Sequence, residues 1–158
     1  MSAGCGSAPE TFAEVDPSIT EFNASGPNLN FTSQIGLLDT GKTGMVQVAQ
    51  VVEKITKGVQ AQLPGLSKDT RYVQLQMHFD STDRLGNKGF IDFGSIRFPV
   101  DDLMKAKLDN MFALQLLNLA DEISPGPAID MAVEYCGDPE NSRVNGEFCR
   151  KLQSSMDN

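Results

Sequence analysis

The sequence predicts an α+β fold, in which one antiparallel sheet of four strands is covered on one face by two helices. Three observations lead to this prediction. Segments in which apolar residues recur every second position, as in strands, alternate along the chain with segments of helical spacing. Each strand segment is apolar on one side only, as in an antiparallel sheet with one solvated face. The length of 158 residues allows one domain of ordinary size.

The first strand is followed directly by the first helix. Over residues 29–35, Leu29, Phe31 and Ile35 alternate with polar residues, which predicts a strand. After a glycine-rich turn, apolar residues recur every three or four positions, which predicts an amphipathic helix that ends near Leu63. The residues of this helical stripe are Met45, Val48, Val52, Ile55 and Val59.

A hairpin follows the first helix. The most regular alternation in the chain predicts a second strand over residues 72–80, and the apolar segment 90–98 predicts a third. A two-residue Gly-Asn turn at 86–87 would join them. In that register Leu75 faces Phe98, and the apolar side chains of both strands share one face.

Three side chains stand out on the opposite face of this predicted hairpin. Ile91 and Phe93 are apolar residues among polar ones, and Arg97 lies on the same side. Apolar groups exposed within a polar surface are typical of a binding site for another protein. We therefore predict that Ile91, Phe93 and Arg97 form a partner-binding surface.

A second helix and a fourth strand complete the pattern. Pro99 ends the third strand, and Asp101 is a suitable N-cap for a helix. The apolar stripe of this helix continues to Ile123, and a Ser-Pro-Gly-Pro sequence at 124–127 ends it. Residues 129–135 then alternate between apolar and polar, which predicts a strand.

The resulting order is that of the ferredoxin-like βαββαβ fold. We predict a flexible N-terminal tether over residues 1–28, the α+β domain over 29–136, and a C-terminal tail over 137–158. A different α+β order, in which the first strand is unpaired, is the alternative. The fold by itself does not specify a function.

The N-terminal segment is rich in Ser, Ala, Gly and Pro and follows no period, so a flexible tether would reach about 28 Å. It begins with Ser2-Ala-Gly-Cys5, followed by Gly and Ser. This sequence resembles the lipobox of bacterial lipoproteins, although Ser2 stands where Leu is usual and no basic or apolar stretch precedes it. The resemblance implies that Cys5 carries a lipid, and a signal segment upstream of Met1, either removed or missing from the assigned gene start, would account for both departures.

The other two cysteines lie close together near the end of the chain. Cys136 and Cys149 bracket a polar, turn-rich stretch, and their spacing does not fit a metal site. A polar loop is a poor environment for two separate buried thiols. We predict a disulfide between them, which would place the protein in an oxidising compartment.

Charge and hydropathy exclude several classes of partner. The 21 acidic and 13 basic residues give a formal net charge of −8, which opposes binding to nucleic acid or to an anionic bilayer. The longest apolar runs are far shorter than the about 20 residues of a membrane span. Any membrane attachment is therefore expected only through a lipid.

One motif predicts an enzymatic alternative. The sequence Gly36-Leu-Leu-Asp-Thr-Gly41-Lys42-Thr43 matches the P-loop pattern, and it lies between a predicted strand and a predicted helix. A P-loop requires a parallel sheet, however, and the later strands are predicted to be antiparallel. The simpler interpretation is a turn followed by a helix start.

No other group of residues predicts catalysis or metal binding. His78 is the only His in the chain, and its predicted place is on the solvated side of a strand. The oxygen-bearing residues Asp80, Asp83, Asn87 and Asp92 do not have the spacing of a calcium loop. We expect no metal and no cofactor.

These features together predict a non-enzymatic domain that binds other proteins of a bacterial cell envelope. It would be a component of a secretion, conjugation or transport assembly, located in the periplasm and anchored to the outer membrane by a lipid on Cys5. The alternative is a small nucleotide-binding enzyme that uses Gly36, Gly41, Lys42 and Thr43.

Overall fold

The computed structural model describes residues 8–36 and 41–157. They form an α+β fold around one mixed five-stranded sheet, whose strand order follows the chain. The strands are β1 (Ile19–Ser25), β2 (Asn28–Ile35), β3 (Tyr72–Thr82), β4 (Lys88–Pro99) and β5 (Glu122–Pro125). Only β2 and β3 pair in parallel, and the other three pairs are antiparallel.

The described residues also form six α-helices. They are α1 (Gly41–Gln60), α2 (Val100–Lys105), α3 (Ala113–Leu116), α4 (Asp130–Gly137), α5 (Pro139–Val144) and α6 (Gly146–Met156). The core lies between one face of the sheet and α1, where the apolar residues of β2, β3 and the α1 stripe are all buried. The prediction of an α+β fold is confirmed.

The strand order differs from the predicted ferredoxin-like one. In a split βαβ arrangement another strand lies between the two parallel strands. Here β2 and β3 are direct neighbours, and α1 crosses from one to the other. The predicted strand over 29–35 and the helix after it are both present.

The segment from residue 12 to residue 28 contains regular structure, which the prediction of a flexible tether over 1–28 missed. Phe12 and Val15 are buried, and β1 pairs along β2. The rings of Phe12 and Phe22 lie 5.3 Å apart, and both contact Phe31. Because β1 is an edge strand with few apolar residues, its sequence shows no strand period. Residues 1–7, including Cys5, lie outside the described part of the chain.

The hairpin of β3 and β4 is present, but its register differs from the predicted one. Leu75 pairs with Ile96 and not with Phe98. The turn is longer than two residues, because the amide of Asp83 donates to the carbonyl of Asn87 at 3.0 Å. A longer turn shifts every pair in the hairpin.

A β-bulge in β4 also changes the sheet face to which the residues nearest the turn point. Met77 pairs with Gly94 and His78 with Asp92, so Phe93 is the extra residue. Phe93 faces the core and is fully buried, with its ring 5.6 Å from that of Phe79. The prediction that Phe93 is exposed for partner binding is therefore wrong.

The predicted second helix is broken into short pieces. It begins as α2, continues through short turns and α3, and ends before β5. Ile123 was predicted to belong to the helical stripe, yet it pairs with Ile96 as part of β5. The fourth strand predicted over 129–135 is instead the helix α4, which buries Ala132 and Tyr135 on one side.

The residues beyond α4 form α5 and α6, where we predicted a polar tail. The Asp138 side chain caps α5 by accepting a hydrogen bond from the amide of Glu140 at 2.8 Å, and Pro139 is the first residue of the helix. Phe148 and Leu152 of α6 are buried in the common core. The C-terminal helices therefore belong to the folded domain.

Candidate functional site

The hairpin of β3 and β4 extends beyond the rest of the sheet. Pairing with β2 ends at Phe79, and pairing with β5 ends at Gly94. Residues 80–91, which we call the arm, therefore pair with neither β2 nor β5. Their outer edges offer backbone hydrogen-bonding groups to a partner.

The tip of the arm is ordered by one carboxylate. Asp83 accepts hydrogen bonds from the amide of Leu85 at 2.8 Å and from the amide and side chain of Asn87 at 2.9 and 3.0 Å. These bonds, led by that from the Asn87 side chain, lower the pKa of Asp83 below its usual value of 3.8. Gly86 has a φ of +86°, which suits a residue without a Cβ.

The arm exposes large apolar side chains on both of its faces. Leu85 at the tip is 80% exposed, Phe90 is 50% exposed and Ile91 is 39% exposed. Phe90 lies on the open face of the sheet and stacks on His78, with ring centroids 4.0 Å apart. Ile91 lies opposite Phe79, on the face that carries the helices. A surface of this kind is suited to contact with another protein.

The three residues predicted to bind a partner do not come together. Ile91 is exposed but lies on the opposite face from the one predicted, because of the bulge. Arg97 is bound within the sheet: its Nε donates to Asp121 at 2.8 Å, and its guanidinium lies 4.2 Å from the Tyr72 ring centroid. The Asp121 carboxylate raises the pKa of Arg97 further.

Sequence reasoning missed Leu85 and Phe90. The predicted register puts Phe90 on the apolar face of the hairpin, and Leu85 lies directly before the predicted Gly-Asn turn. Both residues lie in a long polar segment, and that segment indicates their exposure. An apolar residue near a hairpin tip has no core within reach.

The residues of the P-loop pattern lie between two parallel strands. Gly36 follows β2, Gly41 begins α1, and Lys42 and Thr43 are exposed in its first turn. The residues between Gly36 and Gly41 lie outside the described part of the chain. The strands on either side of the motif, β2 and β3, are parallel neighbours, whereas β4 and β5 pair antiparallel as predicted.

The cysteines near the C-terminus form the predicted disulfide. Cys136 of α4 and Cys149 of α6 are joined, with Cα atoms 5.7 Å apart. The bond holds α6 against α4 and hints at an oxidising compartment.

The described residues show neither a membrane-spanning helix nor a metal-binding cluster. Within residues 8–36 and 41–157, no helix is long and apolar enough to cross a membrane. In the same ranges no group of three or more His, Cys, Asp or Glu side chains is placed to hold a metal ion.

Comparison with known proteins identifies no matching family model, no curated relative and no similar solved structure. Proposals about this chain therefore rest on its own fold and surface chemistry.

Proposed function

We propose that this chain is a non-enzymatic, protein-binding domain of a bacterial cell envelope. It would belong to a secretion, conjugation or transport assembly and would be held at the periplasmic side of the outer membrane by a lipid on Cys5. The arm is the observation that carries the protein-binding part of this proposal.

The arm has two properties that suit a docking element. It exposes Leu85, Phe90 and Ile91 to solvent, although the burial of large apolar side chains is favourable. It also presents unpaired strand edges, which can add to a strand of a partner. A hairpin that projects with both properties would be costly to keep exposed if it had no partner.

The compartment is supported by the disulfide and by the N-terminal sequence. The bond between Cys136 and Cys149 fits a protein that works outside the reducing cytosol. The lipobox-like Ser2-Ala-Gly-Cys5 supplies a place for the anchor. One acyl chain gives weak membrane binding and stable anchoring takes more, so a lipoprotein carries several.

Site-specific cross-linking in intact cells tests the docking function. A photoreactive amino acid at Leu85 is expected to give one defined cross-linked species, and the same group at Phe112 is expected to give none. Phe112 is a matched control because it is 78% exposed and lies outside the arm. Phe90→Ser should abolish the Leu85 cross-link. Equal products from both positions would refute docking through the arm.

Acyl labelling tests the anchor separately. The gene is expressed with its natural upstream sequence in cells fed a labelled fatty acid. The chain is expected to become labelled and to fractionate with the outer membrane, whereas Cys5→Ser should be unlabelled and released. Absence of label on the natural chain would refute the anchor without affecting docking through the arm.

The parallel unit of β2, α1 and β3 favours nucleotide binding as a second candidate. A P-loop requires a strand, a glycine-rich turn and a helix in a parallel βαβ unit, and Gly36 to Thr43 lies in that context. Lys42 would then contact the phosphates and Thr43 a magnesium ion. A rise in melting temperature with millimolar MgATP, lost in Lys42→Ala, would support it. No rise at that concentration would remove it.

A further inference from the structure

A cleft lies where the end of β2 meets α1 and the segment that precedes β1. Its volume is about 440 Å³, which is within the range of sites that hold small molecules. Apolar parts of its wall come from Pro17, Ile35 and Val51. The polar side chains of the wall, which give the acceptor cleft the name used below, are Asp16, Ser18, Gln34, Gln47 and Gln50.

One buried atom in the wall of the acceptor cleft has no partner. Within the described part of the chain, the side-chain oxygen of Gln47 is buried and makes no hydrogen bond. A half-turn of the carboxamide does not solve this, because it would bury the nitrogen in place of the oxygen. Buried polar atoms without a partner are rare because they destabilise a fold. The Gln47 side chain is partly exposed as a whole, so a donor bound in the cleft is within its reach.

The other polar groups of the wall have mainly acceptors left to offer. Gln34 donates its side-chain nitrogen to Asp80 at 2.6 Å, which leaves its oxygen available. Asp16 accepts the backbone amide of Ser18 with one carboxylate oxygen at 2.8 Å, which leaves the other. The Ser18 hydroxyl is shared with that of Ser33 at 2.6 Å. A ligand that donates hydrogen bonds therefore suits this wall.

The charge of the wall is negative. Among the described residues that line the acceptor cleft, Asp16 is the only one with a charged side chain. The Asp80 carboxylate, bonded to Gln34, adds a second negative charge nearby. Lys42 and Lys54 belong to the same helix as Gln47 but do not line the cleft. The local field therefore favours a cation and opposes an anionic group.

An ammonium group supplies what this wall lacks, because it carries a positive charge and three donors. We propose that the acceptor cleft binds a small aliphatic amine. Its ammonium group is hydrogen-bonded to Asp16 and to the Gln47 oxygen, and its carbon chain packs against Ile35 and Val51. The apolar part of the wall favours such a molecule over a bare metal ion. An amino acid fits less well, because its carboxylate would find no cation in the wall.

Titration with 1,5-diaminopentane, followed in ¹H–¹⁵N spectra, tests this proposal. The side-chain signals of Gln47 and Gln50 and the backbone amide of Ser18 are expected to shift and to saturate at millimolar concentration, since the ligand is small. Pentane-1,5-diol has the same length without the charge and should cause little shift. Equal shifts with the diol, or no saturable shift with millimolar diamine, would overturn amine binding.

A matched pair of variants separates the site from general attraction of cations to an acidic chain. Asp16→Asn removes the charge but keeps an oxygen for the Ser18 amide, and it should weaken diamine binding about tenfold. Asp69→Asn removes the same charge from an exposed residue just before β3, and it should leave the affinity unchanged. Equal affinities of the two variants would overturn the site.

Gln47→Leu distinguishes a role in binding from a role in the fold. It replaces the unpartnered oxygen by an apolar group of similar size, so the melting temperature of the free protein should not fall. Its affinity for the diamine should fall about tenfold. A lower melting temperature with unchanged affinity would overturn the role of Gln47 in binding. The Leu85 cross-link and the MgATP titration are measured without an amine, so their outcomes are independent.

Discussion

Gly94 of β4 lies against the backbone of β5, so close to Ser124 that a Cβ on Gly94 would come within 2.2 Å of the Ser124 carbonyl oxygen. The same Cβ would be 2.7 Å from the amide nitrogen of Gly126. Gly94 also has a φ of +117°, a conformation that L-residues rarely adopt. The β-bulge of β4 and the attachment of the last strand therefore both depend on this one glycine.

Gly94→Ala should destabilise the fold by at least about 2 kcal/mol, because backbone strain and a clash with main-chain atoms act together. Urea unfolding measures the loss. Gly89→Ala in the same strand is the matched control, since its Cβ would meet only the Ser81 hydroxyl at an ordinary 3.8 Å. Equal stability of the two variants would show that β5 moves away freely from β4.

Replacing Cys136 and Cys149 together by Ala should lower the free energy of unfolding by about 3 kcal/mol, because the cross-link restricts the unfolded chain. The unanchored, unreduced protein should have a single reactive thiol, that of Cys5, when it is unfolded. After reduction, all three cysteines should react as free thiols. A reductant should not lower the free energy of unfolding of the double variant any further. If it does, the effect of reduction on stability does not come from the Cys136–Cys149 bond.

The part of the fold that the sequence predicts well is the part with long, regular periods. The helix α1 and the strand β3 carry an uninterrupted apolar pattern, the strand at 29–35 departs from it only at Ser33, and all three are present. In β4 a bulge at Phe93 interrupts the alternation, and a pattern of period two cannot reveal which residue is the extra one. The predicted partner-binding set failed at that residue.

Short segments were the other source of error. Residues 129–135 alternate in sequence, yet α4 buries Ala132 and Tyr135 at helical spacing, and both patterns fit so short a segment. In β1 the ring of Phe22 packs against that of Phe12, which lies before the strand, and the local sequence pattern does not reveal this contact.

The tip of the arm should loosen in acid. Because the pKa of Asp83 is lowered in the folded state, its contribution to stability is fully present above the unfolded value near 3.8. That contribution is lost as the pH falls through the lowered pKa. The amide signals of Leu85 and Asn87 should titrate with a midpoint below 3.8, and Asp83→Asn should abolish the titration. A midpoint at or above 3.8 would contradict the hydrogen bonding at the tip.

A buried hydrogen bond joins α4 to the turn before α6, where the Tyr135 hydroxyl donates to the Asn145 side-chain oxygen at 2.5 Å. Tyr135→Phe leaves that oxygen buried without the hydroxyl and should cost about 1–3 kcal/mol in urea unfolding. Tyr72→Phe is the matched control and should cost little, because the Tyr72 ring keeps its contact with Arg97.

The same tyrosine gives a test at high pH. Burial, with a further contribution from Asp138, raises the pKa of Tyr135 above the ordinary value of 10.0. Its contribution to stability is present below the unfolded value near 10 and is lost as the pH rises through the raised pKa. The chain has two tyrosines, so phenolate absorbance should show a late titration that disappears in Tyr135→Phe. Titration of Tyr135 at the ordinary value would mean that its hydroxyl is hydrated and not buried.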